Sequence, residues 1–361
     1  MPVAQNSLKK IAFSLLILFF APNTLCFGGE WRNPKELIGD PWLARLQQGR
    51  KELTEWEKED LKKYGYTGLE LMTYVDANKE PEEDREAFFR AIHISARGVT
   101  SRFEIRMRKL YRKSYKDNLT YDGIKPGEVW AKRRGIQLLP PQNRRQTWMA
   151  HMYLRSLQQR RLEEGMNWRP GSRKVVRYTV NPKENSWIGM ELTMDDYRWR
   201  KPWEEDHRIL GKDRLKGEKC WVVESRYRLK SDYYLQKRVS WVDAENFLDL
   251  HEEQFNRQGK LFKLIDNSWE QVPPWNYWVQ KERYFYNLTT KNRSLIQSFE
   301  WIFDQGIDDG LFNPMALHLN RIWREPKTSI PPVEALSKSP PPSSVQWKFW
   351  DQLGEKPEVA K

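Results

Sequence analysis

From Asn167 to Leu317 the chain is written as short runs in which apolar or aromatic residues alternate with charged ones. Ser231-Asp-Tyr-Tyr-Leu-Gln-Lys-Arg-Val-Ser-Trp-Val-Asp243 is the clearest run, and Asn246-Phe-Leu-Asp-Leu-His-Glu-Glu-Gln-Phe255 follows it directly. A period of two sends successive side chains to opposite faces, so each run predicts a half-buried β-strand. Evenly spaced strands of this kind predict an antiparallel meander, hence a barrel, half-barrel or sandwich.

The same signature extends toward the N-terminus. Val99, Phe103, Ile105 and Met107 fall on one side of a run, and Arg102, Glu104, Arg106 and Arg108 on the other. Further strands are expected at Gly135–Leu139, Gln146–Leu154, Arg160–Trp168, Arg173–Val180, His207–Leu210, Lys219–Leu229, Tyr233–Val242, Phe247–Phe255 and Lys260–Ile265. Pro140-Pro141, Glu164-Gly165, Pro170-Gly171, Asn181-Pro182 and Gln258-Gly259 read as the turns between them. Helical signals come first: Thr54-Glu-Trp-Glu57 reads as a capping box. A second helix is expected over Pro81–Ala96, with Phe88, Ala91, Ile92 and Ser95 on one face and Gly98 after its end.

With 18 Trp, 15 Tyr and 15 Phe in 361 residues, the chain is too aromatic to be disordered, although only 39% is apolar and 31% is charged. The formal net charge of +13 favours anionic surfaces. Most Lys and Arg alternate with Asp and Glu, which reads as a solvated outer face. Lys9-Lys10 followed by Ile11–Ala21 has the charged start and short apolar core of an export signal, too short to span a bilayer. Residues 1–28 are therefore read as a cleaved signal peptide and the protein as periplasmic. Asn23-Thr-Leu-Cys26 lacks the small residue expected before a lipidated cysteine, and Cys220 reads as a buried packing residue with no partner. Residues 326–361, with Pro331-Pro332 and Pro340-Pro341-Pro342, read as a tail, near whose end Trp347, Phe349 and Trp350 are placed to dock.

Several segments, in order, resemble a known family. Trp168-Arg-Pro-Gly-Ser-Arg-Lys-Val-Val-Arg177, Trp187-Ile-Gly-Met-Glu-Leu-Thr-Met-Asp-Asp-Tyr197 and Leu210-Gly-Lys-Asp-Arg-Leu-Lys-Gly-Glu-Lys-Cys-Trp-Val-Val-Glu224 are similar to segments of the periplasmic outer-membrane lipoprotein-sorting-like proteins. These form the LolA-like superfamily and include the DUF1329 group. Tyr233-Tyr234, Trp241-Val-Asp243, Gly259-Lys-Leu261 and the Phe312–Leu317 segment match the order that follows. The resemblance covers about Arg134 to Leu317. It implies a mainly β, α+β fold: a curved antiparallel sheet forming an unclosed half-barrel wrapped around helices. It also implies a carrier of acyl chains or another apolar ligand, accessory to an envelope transport system. Residues 29–80 are then a helical N-terminal extension and 81–325 the half-barrel domain.

The residues themselves offer little catalytic chemistry. His93, His151, His207, His251 and His318 stand in no zinc-binding spacing, and no nucleophile elbow or phosphate loop is present. No metal or other cofactor is expected, and no enzyme activity. An export signal also argues against a nucleic-acid partner. Asp195-Asp196 and Glu204-Glu205, with Trp199 and Trp203, leave open an alternative as a polysaccharide-binding protein or hydrolase. An outer-membrane barrel is a further alternative, although the N-terminal helices and the tail have no natural place in one. On the carrier reading the ligand wall consists of aromatics from successive strands: Trp148, Tyr153, Trp168, Tyr178, Trp221, Tyr233 and Trp241. The partners expected are a hydrophobic ligand, an inner-membrane transporter or outer-membrane protein, and an anionic membrane surface.

Overall fold

In a computed structural model of the protein, the described residues are 52–79, 83–111, 127–154, 163–180, 186, 189–193, 195–196, 201–228, 233–319 and 344–360. The expected signal peptide, the beginning of the helical extension and the proline-rich part of the tail lie outside them. The alternating runs form β1 (Asp84–Ser95), β2 (Gly98–Tyr111), β3 (Val129–Leu139), β4 (Thr147–Tyr153), β5 (Glu163–Arg169) and β6 (Lys174–Val180). They continue as β7 (Glu205–Leu215), β8 (Glu218–Tyr227), β9 (Leu235–Asp243), β10 (Asp249–Asn256), β11 (Leu261–Val272), β12 (Tyr277–Asn287) and β13 (Arg293–Phe303). Among the described residues three α-helices accompany them: α1 (Glu55–Tyr64), α2 (Gly68–Lys79) and α3 (Trp347–Leu353).

All 13 strands belong to one antiparallel sheet, ordered β6-β5-β4-β3-β2-β1-β13-β12-β11-β10-β9-β8-β7. Sequence neighbours pair within β1–β6 and within β7–β13, and β1 pairs with β13 to join these two meanders. The free edges are β6 and β7, consecutive in the chain yet at opposite ends of the sheet. Helix α2 touches β7 at one edge and β12 five strands away. It also shares a core with Ala131 of β3, Met152 of β4 and Trp221 and Val223 of β8. An α-helix is only about 10 Å across, so it reaches strands this far apart because the sheet curls around it. The architecture is the expected unclosed half-barrel around helices, with α2 inside it.

Cross-strand register defines the two faces. Trp221 and Val223 of β8 and Val242 of β9 line the concave face with Leu71, Met72 and Val75 of α2. Cys220, Val222, Val239 and Trp241 line the convex face, where Phe349 and Trp350 of α3 cover them. The aromatic end of the tail thus docks on the sheet. A parallel bridge between Leu261 and Val359 ties it down further. On the convex face of β3–β5, residues 307–317 form the lid, with Ile307, Leu311, Phe312 and Leu317 over Met149 and Met166. Arg134 holds this lid by donating to the carbonyls of Leu311, Ala316 and Leu319.

Helix α1 starts as its sequence predicts: Thr54 Oγ1 accepts from the Glu57 N–H, and Glu57 Oε2 accepts from the Thr54 N–H at 2.7 Å. The expected helix over Pro81–Ala96 is not formed where the chain is described; those residues are strand β1. Helical spacing of Phe88, Ala91, Ile92 and Ser95 misleads because β1 lies mid-sheet with both faces buried. No polar stripe then marks a period of two. Phe88, Phe89, Ile92 and Ile94 are also strand formers.

Asp60 couples α1 to α2 and to the sheet. Its Oδ2 accepts from Gly68 N at 3.1 Å and Ile209 N at 3.0 Å. Burial raises its pKa to about 6, against the lowering effect of those two N–H groups. A carboxyl whose pKa is raised on folding favours the folded state most below its unfolded value near 3.8, and that contribution is lost as pH rises through 6. Asp60→Asn keeps an acceptor oxygen, so its stability is expected to vary less with pH between 4 and 6 than that of the wild type. Asp60→Ala is expected to cost about 2–3 kcal/mol. Urea denaturation across this pH range separates the two.

Candidate functional site

Part of the concave face is filled from within. Described residues between β6 and β7 lie against it: Met190 and Leu192 pack on Ala91, Ile265 and Phe285. Asp196 meets Lys263 Nζ at 2.7 Å, with both side chains inaccessible to solvent. Asp196 also accepts from Gln254 Nε2 at 2.8 Å and from Thr193 N at 2.9 Å, while its carbonyl accepts from Arg283 Nη1. Nearby, Arg238 donates from Nε to Glu205 and from Nη1 to Glu252. Lys79 pairs with Asp249 at 2.9 Å, and Lys201 with Asp76 at 3.1 Å. Burial lowers the Lys201 pKa despite the opposing Asp76 carboxylate. These residues correct the expectation of a solvated charged face over β9–β11. The alternating acids and bases there face inward, and cross-strand neighbours neutralise one another where water cannot.

Toward the β6 edge the concave face is more accessible. Register places Gly135, Trp148, Asn167 and Val176 in one row, and Ala150, Gly165 and Tyr178 in the next. The Trp148 indole lies over Gly135: a Cβ added there would sit 2.4 Å from the ring. The Tyr178 ring lies in the same way over Gly165, at 2.3 Å. Trp148 is half-buried, and Tyr178 and Val176 are 42% and 48% exposed. Glycine inside a strand leaves room for a neighbouring ring to lie flat. Gly165 was expected to mark a turn with Glu164; it is instead the middle of β5, paired with Tyr178. Interior glycines in a strand pattern were the sequence signal for these two seats.

The seven aromatics expected to form one wall are divided between two faces. Trp148, Tyr178 and Trp221 lie on the concave face, while Trp168 and Trp241 lie on the convex face. Trp241 is fully buried, its ring 5.5 Å from that of Phe349 and its indole N–H donated to Asp213. Trp221 is closed over by Tyr64 and Tyr66, whose rings stand edge-on to it. Tyr233 stacks on Tyr227 at 4.1 Å and donates its hydroxyl to Asp195. Tyr153 is buried. Trp168 packs beside Met149 and Met166 under the C-terminal lid. Of the seven, Trp148 and Tyr178 are on the concave face and partly accessible. The one-residue offset between Trp221 and Trp241 in paired strands sends them to opposite sides.

Asp195, Asp196, Glu204 and Glu205, the acids of the polysaccharide alternative, are all buried. Asp195 is engaged by Tyr233, Asp196 by Lys263, and Glu205 by Arg238. Glu204 accepts from the Lys201 backbone N–H at 3.0 Å. His207 is held between Ser225 Oγ and the Pro202 carbonyl, both at 2.8 Å, and burial lowers its pKa. His151 Nε2 lies 3.3 Å from the Phe312 carbonyl. Among the described residues, no group of three His, Cys, Asp or Glu is placed to hold a metal ion. No helix among them is long and apolar enough to cross a membrane.

A family model described only as an uncharacterized protein matches residues 145–318. No curated protein matches the chain. Among solved structures, a domain described as outer membrane lipoprotein-sorting from Vibrio parahaemolyticus superposes with a TM-score of 0.57 at 20% identity. The match covers 70% of this chain and 98% of that one. A DUF1329 family protein from Desulfovibrio piger gives a TM-score of 0.59 at 16% identity, covering 73% and 100%. The chain has the fold of the outer-membrane lipoprotein-sorting and DUF1329 proteins, an unclosed antiparallel half-barrel wrapped around helices.

Proposed function

We propose that the protein is a periplasmic carrier that holds an acyl chain or similar hydrophobe against the open part of its concave face. One observation carries this reading: Trp148 and Tyr178 lie flat on glycine seats, side by side with Val176, on a wall the protein's own core leaves uncovered. Flat rings seated on backbone give a smooth apolar surface that accepts a chain of no fixed sequence, and burial of apolar area drives such binding. The lipoprotein-sorting description of one structural relative agrees with an acylated cargo. A transport partner in the envelope would load or receive it.

The test is mass spectrometry of an organic extract from gently purified protein, together with uptake of a fluorescent fatty acid. A stoichiometric hydrophobe is expected. Trp148→Glu and Tyr178→Glu are each expected to weaken fatty-acid binding by about tenfold to a hundredfold, the equivalent of one large apolar side chain. Trp221→Glu would not serve, because Trp221 is core and its loss unfolds the site. A protein that is empty as purified and takes up no fatty acid would overturn the reading.

A further inference from the structure

A second site lies at the β7 edge of the half-barrel, where the β7–β8 hairpin meets α3. The cleft there has a volume of about 440 Å³ and wraps the sheet edge: Lys212, Arg214, Lys219 and Trp221 line it from the concave side of the hairpin, and Cys220, Asp213 and Lys348 of α3 from the convex side. Its single lining acid, Asp213, is already engaged. Asp213 Oδ2 accepts from the Trp241 indole at 2.9 Å, and Oδ1 from the Arg214 backbone N–H at 2.7 Å. Lys212 lies 4.4 Å from the Trp221 ring centroid. No carboxylate among the described residues pairs with Lys212, Lys219 or Lys348. Burial pushes the Cys220 thiol up to about 12, so it is uncharged. Four exposed cations along one edge, with a single acid that is already engaged, leave a local excess of positive charge that favours an anionic partner.

We propose that this cleft receives the phosphate of an anionic phospholipid headgroup, with α3 lying against the membrane surface. The flanks of the cleft favour a lipid over free phosphate. Trp347 and Leu353, on the same short helix as Lys348, are each 36% exposed, and Lys356 reaches over the Trp347 ring. Exposed aromatic and aliphatic side chains among lysines are the composition of segments that lie in the headgroup region. The long, solvent-exposed lysines suit a headgroup presented by a surface. This site is independent of the proposed apolar wall and would hold whatever that wall carries.

The test is cosedimentation of the full chain with vesicles of phosphatidylglycerol and phosphatidylcholine, against phosphatidylcholine alone. Each basic side chain at an anionic surface multiplies affinity about fivefold. The triple variant Lys212→Gln/Lys219→Gln/Lys348→Gln is therefore expected to bind phosphatidylglycerol vesicles about a hundredfold more weakly. Arg173→Gln/Lys174→Gln/Arg177→Gln removes equal charge from the other edge of the sheet and is expected to lose far less. Should the first triple variant fail to fold, Lys348→Gln alone is expected to show about a fivefold loss. Equal losses in the two triple variants, or equal binding to both kinds of vesicle, would overturn the site. A phosphorus NMR titration in which inorganic phosphate binds the wild type and not the first triple variant, without vesicle binding, would overturn the lipid as its source.

Discussion

Asp196→Ala is expected to destabilise the protein by about 3–5 kcal/mol, because it leaves the Lys263 ammonium buried with its charge uncompensated. For a domain of this size that is a fall of about 5–10 °C in Tm. The loss is also topological. Asp196 joins the segment between the two sheet edges to β10, β11 and β12, through Gln254, Lys263 and Arg283. Without it, Met190 and Leu192 lose the anchor that holds them on Ile265 and Phe285. Calorimetry should show the shift, and Asp196→Ala/Lys263→Met should recover much of it, since removing both charges removes the desolvation cost. A loss below about 1 kcal/mol for the single variant would mean that the pair is not the buried clasp described.

Trp350→Ala is the second large effect. The indole is buried at 1% exposure and donates to Glu253 Oε2 at 2.7 Å, and Glu253 Oε1 accepts from Gln346 N. Removing a buried Trp costs about 3–5 kcal/mol. A seven-residue helix has no stability of its own, so α3 is expected to undock while the sheet persists. Hydrogen exchange should then show loss of protection at Phe349–Leu353 and at Leu261, whose N–H is donated to the Glu358 carbonyl. Retained protection there would refute the latch.

The latch should also respond to pH. His251, wholly buried beneath α3, has Nδ1 at 2.7 Å from Asp266 and Nε2 at 3.6 Å from Glu253, with the Trp241 ring beside it. Burial alone would lower its pKa, but the two carboxylates outweigh burial and raise it to about 9. A histidine whose pKa is raised on folding contributes stability that is fully present below 6.5 and lost as pH rises through 9. Docking of α3 should therefore weaken across that window, and His251→Gln should flatten the slope.

Most of the sheet was legible because period-two alternation survives wherever one side of a strand differs from the other. Runs at Arg173–Val180 and Lys219–Leu229 lie at or beside an edge and were located closely. The signal is lost at β1, whose two buried faces erase the contrast, and β12 and β13 are not among the strands expected from alternation. The aromatic tail was rightly seen as able to dock, since Phe349 and Trp350 are too apolar to leave in water. Where it docks depended on the groove of Val222, Val239 and Trp241, assembled from strands that pair only in the fold. Of the seven wall residues, Trp148 and Tyr178 hold accessible concave positions. Their glycine partners are 13 residues away in each case, visible only as interior glycines in strand-like runs.

The class of structure is written locally in the chain: antiparallel strands at short intervals, a capped helix ahead of them, a proline-rich tail with an aromatic end. These follow from local sterics and from the need to hide apolar side chains. What lies inside the curl is set by long-range pairing. Whether an alternating Lys or Glu faces water or a partner depends on which strand lies beside it and which side the sheet curves toward. Both are properties of pairing between distant residues. That is why Lys263 and Asp196, ordinary surface charges in the sequence, are the clasp of the interior, and why Trp241, an obvious ligand-wall aromatic, is sealed beneath the C-terminal helix.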